Sequence, residues 1–159
     1  MALRKPLVIG PSGKPQELQA GDVIDGPVAE VDVITASNSN AGPITLGQPV
    51  YVDGSGSVDL AQANAAATSD VIGLVAEASI AAAATGSIQT NGAITSSDWT
   101  AVTGAVTLSA GAPYFLDAAA PGMLTTSPPT GNPNSVTCVG IATSTDTFQI
   151  RIEPAILRG

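Results

Sequence analysis

Laid on itself at a shift of a little over sixty residues, the chain repeats itself block by block, and this constrains its fold more than any other feature. The first copy runs Ile44-Thr45-Leu46-Gly47-Gln48-Pro49-Val50-Tyr51-Val52-Asp53, then Ser57-Val58-Asp59-Leu60, then Val71-Ile72-Gly73-Leu74-Val75. Its counterparts are Val106-Thr107-Leu108, Gly111-Ala112-Pro113-Tyr114-Phe115-Leu116-Asp117, Gly122-Met123-Leu124-Thr125 and Cys138-Val139-Gly140-Ile141-Ala142. Ser87-Ile88-Gln89-Thr90 matches Thr147-Phe148-Gln149-Ile150, and Gly92-Ala93-Ile94 is set against Pro154-Ala155-Ile156. Each copy reads as a Gly-x-Pro turn, a strand ending in Asp, a tight reversal, a return strand, a loop of small residues and a strand with glycine at its middle. A glycine there marks a bulge or a close approach of backbone.

Strand-like runs separated by turn clusters at short spacing predict an all-β fold, an antiparallel sandwich or barrel built from two internally duplicated β units. The runs are Val31–Thr35, Pro49–Val52, Ser57–Leu60, Val71–Ala78, Gly86–Thr90, Ala105–Leu108, Tyr114–Leu116, Met123–Thr125, Val136–Ala142 and Thr147–Ile152. The copies span about 44–94 and 106–156 inside a domain covering 29–159, and are expected to pack face to face or around a barrel with pseudo-two-fold symmetry. Helix is limited to a turn or two in the alanine-rich Leu60–Ala67 and one capped turn at Ser96-Ser97-Asp98-Trp99.

Residues 1–28 hold short apolar pieces broken by Gly, Pro and Ser, too few to bury a core, and read as an extended N-terminal arm or small hairpin. The charge is divided in the same way. Arg4, Lys5 and Lys14 stand at the front and Arg151 and Arg158 at the back, with no Lys or Arg from Pro15 to Ile150. An acidic body with a net charge of −8 for the whole chain disfavours a phosphate backbone, which excludes nucleic acid as the main partner. The basic, apolar start suits docking on an acidic neighbour, so Arg4, Lys5, Leu7, Val8, Ile9 and Lys14 are the candidate partner-binding residues.

Charged residues make up only 11% of the chain, so its surface must be built from Ser, Thr, Asn, Gly and Ala, a composition suited to sheets that meet other protein. Cys138 is the single cysteine, inside an apolar run, and reads as a small buried hydrophobe. Met1-Ala-Leu-Arg-Lys-Pro is not followed by an apolar stretch of signal-peptide length, and no window reaches the roughly 18 apolar residues of a membrane span. The expectation is a soluble protein made in a cytoplasm, with no membrane partner.

The chain has no histidine, which removes Ser-His-Asp and Cys-His catalysis and the commonest transition-metal ligand. Asp53 and Asp117 occupy matching places, but an aspartic-protease pair needs Asp-Thr/Ser-Gly at both, and here Gly54 and Ala118 follow. Asp53-Gly54-Ser55-Gly56-Ser57-Val58-Asp59 has oxygens at alternate positions yet lacks a calcium loop's further acids, and a hairpin turn explains it better. No segment has the spacing of a phosphate loop. Trp99, the only tryptophan, is expected to be a buried plug between the copies rather than a platform for sugars. No catalytic residue, cofactor or metal site is expected, and the protein reads as a non-enzyme.

The run Ile94-Thr95-Ser96-Ser97-Asp98-Trp99-Thr100-Ala101-Val102-Thr103-Gly104, with Leu108-Ser109-Ala110-Gly111-Ala112-Pro113-Tyr114-Phe115-Leu116-Asp117 and Pro121-Gly122-Met123-Leu124-Thr125-Thr126, resembles segments recurrent in virion proteins of tailed bacteriophages. Pro6-Leu7-Val8-Ile9 and Leu18-Gln19-Ala20-Gly21-Asp22 are similar to the leading segment of phage fibre and head-decoration proteins. The resemblance implies a capsid decoration, or cement, protein of the head-fibre type. Such a protein is made in the host cytoplasm, binds the major capsid protein on the virion's outer surface, often as a homotrimer, and stabilises the shell. A tail-fibre or tail-tip component is the alternative, and a carbohydrate-binding module a third.

Overall fold

The computed structural model describes residues 31–157, together with the backbone of two short paired strands before them, β1 (Leu7–Ile9) and β2 (Pro15–Glu17). The rest of the expected arm over 1–28 lies outside the described residues. Further strands follow in chain order: β3 (Val33–Ser37), β4 (Ile44–Thr45), β5 (Pro49–Val52), β6 (Val58–Leu60), β7 (Val71–Val75), β8 (Ser79–Ile80), β9 (Thr85–Gln89), β10 (Gly92–Thr95), β11 (Pro113–Leu116), β12 (Leu124–Thr125), β13 (Ser135–Val136), β14 (Cys138–Ala142), β15 (Thr147–Ile150) and β16 (Ile156–Leu157). The fold is all-β. Helix among the described residues is confined to a 3-10 turn at Ala66–Thr68 and the single α-turn α1 (Thr100–Thr103), where the Asp98 carboxylate accepts the Thr100 amide at 2.8 Å.

Two five-stranded antiparallel sheets dominate, with orders β3-β9-β7-β5-β6 and β10-β15-β14-β11-β12. Read strand for strand, they share order, direction and register. Val50 lies opposite Gly73 and Tyr51 opposite Val71, with a bulge between; Tyr114 lies opposite Gly140 and Phe115 opposite Cys138, with a bulge at the same step. Val75 faces Ile88 in the first sheet, and Ala142 faces Phe148 in the second. The mid-strand glycines are set by this geometry: a Cβ on Gly73 would sit 2.6 Å from the Gln89 carbonyl oxygen, and one on Gly140 would meet that of Gln149.

Some strand pairings differ from the sequence expectation. Gly92–Thr95 does not close the first copy but forms the edge of the second sheet against β15, the counterpart of β3 against β9. The two five-stranded sheets thus draw their strands from β3 to β9 and from β10 to β15. Ile156, expected to match Ile94, lies in β16 and pairs with Val136 instead. Ala105–Leu108 forms no strand, and Val71–Ala78 ends as a strand at Val75.

The first unit closes on itself. Asn38, just past β3, bridges Val58 of β6, and the Ser39 amide donates to the Val58 carbonyl at 2.9 Å, joining the two edge strands around a core of Ile44, Val50, Val58, Val75, Ile80 and Ile88. In the second unit the corresponding path is taken by Trp99 and α1, which cover a core containing Tyr114, Leu116, Leu124, Val139 and Phe148. Trp99 is buried, its indole N–H donating to the Asp146 carbonyl at 3.1 Å and its ring 6.0 Å from that of Phe148. The ring also reaches the first unit: a Cβ on Gly47 would lie 2.7 Å from it.

The units share one buried cluster, in which Ala61, Ala63, Val71 and Leu74 of the first join the core of the second. Backbone bonds stitch the seam, with the Ala63 amide donating to the Asp117 carbonyl, Gly122 to Ala61 and Ser135 to Ala63, at 2.8–2.9 Å. A pseudo-two-fold contact would bury matching positions alike, and this one does not. Leu74 is 0% exposed and its counterpart Ile141 is 38%; Leu116 is 0% exposed and its counterpart Val52 is 48%. The outward face of the first sheet is packed on the second unit, so the arrangement is head to tail.

Candidate functional site

The carboxylates of the body serve the local backbone. Asp53 accepts from the Ser55 amide at 2.8 Å, the Ser55 hydroxyl at 2.6 Å and the Ser57 amide at 3.1 Å, making its loop a tight hairpin turn. The Ser39 hydroxyl beside it, then the Ser55 hydroxyl and the Ser55 and Ser57 amides, hold its carboxyl down to about 2. Asp117 accepts from the Ala119 and Ala120 amides in the matching turn of the second sheet. Asp98 and Asp146 are lowered in the same way by hydroxyls, Thr100 for the first and Ser144 and Thr147 for the second. Among the described residues no three His, Cys, Asp or Glu side chains are grouped so as to hold a metal ion.

Two surface recesses stand out among the described residues. One, of about 260 Å³, is lined by hydroxyls from Thr103, Thr107, Ser109 and Thr125 with Asp117 and Met123. Tyr114 lines it too but is buried, its hydroxyl accepting the Ser109 amide at 2.9 Å, so no open ring is offered for stacking on a sugar. The other, of about 330 Å³, lies between Asp70, Ser135 and the Pro154–Leu157 segment; the Ser135 hydroxyl is buried there with no partner among the described residues.

The more extensive candidate is apolar surface. Val31, Val33 and Ile34 are exposed along the β3 edge, Val106 on the loop after α1, and Ile156 and Leu157 on β16. On the outward face of the second sheet Ile141 and Pro113 are exposed and Phe115 and Cys138 half-buried; at the open end of the first, Val52 stands uncovered. Partial burial pushes the Cys138 thiol up, Glu153 adds to this, and Arg151 is near enough to oppose it. Arg151 is the only Lys or Arg from Pro15 to Leu157, so the body around these patches is acidic. Among the described residues no helix is long and apolar enough to cross a membrane.

Of the residues expected to bind a partner, Arg4, Lys5 and Lys14 lie outside the described residues. Leu7, Val8 and Ile9 form β1, its backbone paired with β2, and their side chains are likewise outside the described set. Sequence reasoning missed the outward face of the second sheet. Its residues were assigned to strands, but nothing in a repeat shows that one copy of a face is covered and the other free. Compared with protein-family models and with curated proteins, the chain matches none.

Proposed function

We propose that this protein is a non-enzymatic virion component that binds the outside of a phage capsid and stabilises the shell. The observation that carries the proposal is the surface of the body. It is acidic but sparsely charged, rich in small and hydroxylated residues, and sprinkled with exposed valine, isoleucine and leucine, which suits repeated contact with other protein and neither nucleic acid nor membrane. The resemblance of Ile94–Asp117 and the leading segment to tailed-phage virion proteins gives the partner its class, the major capsid protein. The basic first segment, with Arg4, Lys5 and Lys14, supplies the attachment, and a homotrimer at a symmetry axis repeats a modest interface.

Mixing purified protein with undecorated capsids of its phage, and sedimenting both, tests this. Stoichiometric co-sedimentation and a shell that opens at a higher temperature are expected. A protein that stays in the supernatant while the shell melts as before would overturn the cement role and favour a tail component.

A further inference from the structure

Both halves of the contact that joins the two units inside the chain have an uncovered counterpart. One half is the outward face of the first sheet, where Pro49, Val71 and Leu74 are buried in the seam. The matching positions of the second sheet are Pro113, Cys138 and Ile141, by the shared register of β5 with β7 and of β11 with β14. The other half is the end of the second sheet, where Leu116 is fully buried alongside Ala61 and Ala63. Its counterpart Val52, two residues beyond the bulge-flanking Val50 as Leu116 is beyond Tyr114, projects uncovered beside the Asp53 turn.

A face made for covering and an end made for covering it are thus both present, one on each unit, and no described residue occupies either. Charge favours the same pairing. Arg151 follows β15 near Cys138, while the Val52 end carries Asp53 and Asp59, the latter accepting the Asn40 side-chain amide at 2.8 Å. Where Arg151 stands in the second unit the first has the uncharged Asn91, so the cation lies on the uncovered face alone.

We propose that a second copy of this chain docks here, the Ile141 face of one molecule receiving the Val52 end of the next and repeating between molecules the contact that joins the units within each. The contact is heterologous, with different surfaces on its two sides, so copies add head to tail and either close into a ring or extend as a filament. It concerns the chain alone and stands whether or not a capsid is bound.

Sedimentation equilibrium of the full-length protein tests it. Association that grows with concentration and weakens with salt is expected for the native chain. Ile141→Asp and Val52→Asp, each placing a carboxylate in the contact, should weaken association about tenfold or more, with circular dichroism and melting temperature unchanged because both side chains are exposed. The decisive sample is a mixture of the two variants, since each keeps the surface the other lacks: it should form one-to-one dimers and go no further. Ile141→Ser and Val52→Ser serve if an aspartate variant misfolds. A native chain that stays monomeric at ~1 mM, weaker than any useful contact, overturns the proposal. So does a Val52→Asp variant that associates like the native chain, which would mean a symmetric contact through Ile141 alone. An Ile141→Asp variant that lowers the melting temperature of a monomer would likewise overturn it, assigning the face to the chain's own earlier residues.

Discussion

The two sheets share a backbone plan and differ in what fills them. In the first, six aliphatic side chains suffice, because the edge strands meet at Asn38 and Val58 and leave a small interior. In the second, Tyr114 stands where Val50 does and Phe148 where Ile88 does, their rings 5.9 Å apart and edge to face. The larger ring is accommodated by its cross-strand neighbour: Val75 opposite Ile88 becomes Ala142 opposite Phe148. Close packing makes such exchanges pairwise, since an added ring must be matched by lost volume next to it. The aromatic core is not closed by its own strands and relies on Trp99 and on Ala61, Ala63, Val71 and Leu74 from the first unit. The first unit is therefore built to stand by itself, and the second to stand against the first.

Truncating Trp99 should break this dependence most severely. Trp99→Ala empties the space between Phe148 and Gly47 and leaves the Asp146 carbonyl with the Ser96 amide alone, at a cost of about 3–5 kcal/mol. Urea unfolding followed by far-ultraviolet circular dichroism should show the loss, and two separate transitions, the second unit melting first, would sharpen the contrast. A smaller effect is expected at Asn38, whose buried amide donates to the Gly42 and Ile80 carbonyls at 3.0 Å and the Ala81 carbonyl at 3.2 Å while its oxygen accepts the Asn40 amide at 2.8 Å. Asn38→Ala should cost about 1–3 kcal/mol, whereas Asp98→Ala, at the matching place in the second unit but exposed and bonded only to its own turn, should cost less. Equal losses in the same denaturation assay would mean that the two closures are not different in kind.

The smallest effect belongs to the Asp53 turn. With its pKa lowered from 3.8 to about 2 in the folded chain, the carboxylate contributes stability that is present above about pH 4 and lost as pH falls through about 2. Asp53→Asn should lower the melting temperature slightly at neutral pH, and the gap from the native chain should narrow between pH 4 and 2. A gap that stays constant with pH would assign the effect to the turn's shape instead of its charge.

Most strands were legible because their signals are local. Pro49–Val52, bounded by a turn glycine and Asp53, was placed to the residue, and the matches of Val71–Val75 with Cys138–Ala142 and of Ser87–Gln89 with Thr147–Gln149 coincide with equivalent register in the sheets. Trp99 was read as a buried plug, and it is one. Gly92–Thr95 follows the first repeat in sequence yet pairs with β15, joining residues more than fifty positions apart, which no local pattern records. Ala105–Leu108 has a strand's composition, but the Trp99 amide donates to the Val106 carbonyl and the Leu108 amide to that of Thr145, which spends its polar groups on α1 and a neighbouring turn. The candidate site was least legible, since Leu74 and Ile141 look alike as letters and are told apart only by what covers them.

The way the sheets end has a consequence for handling so apolar a chain. An open strand edge invites any passing strand, and a protein with 11% charged residues has few side chains to repel it. Here the first sheet joins its edges at Asn38 and Val58, and the second tapers to the two residues of β12. The edges of β3, where Val33 and Ile34 are exposed, and of β10 are paired on one side only among the described residues, so strand addition in a concentrated sample should begin there.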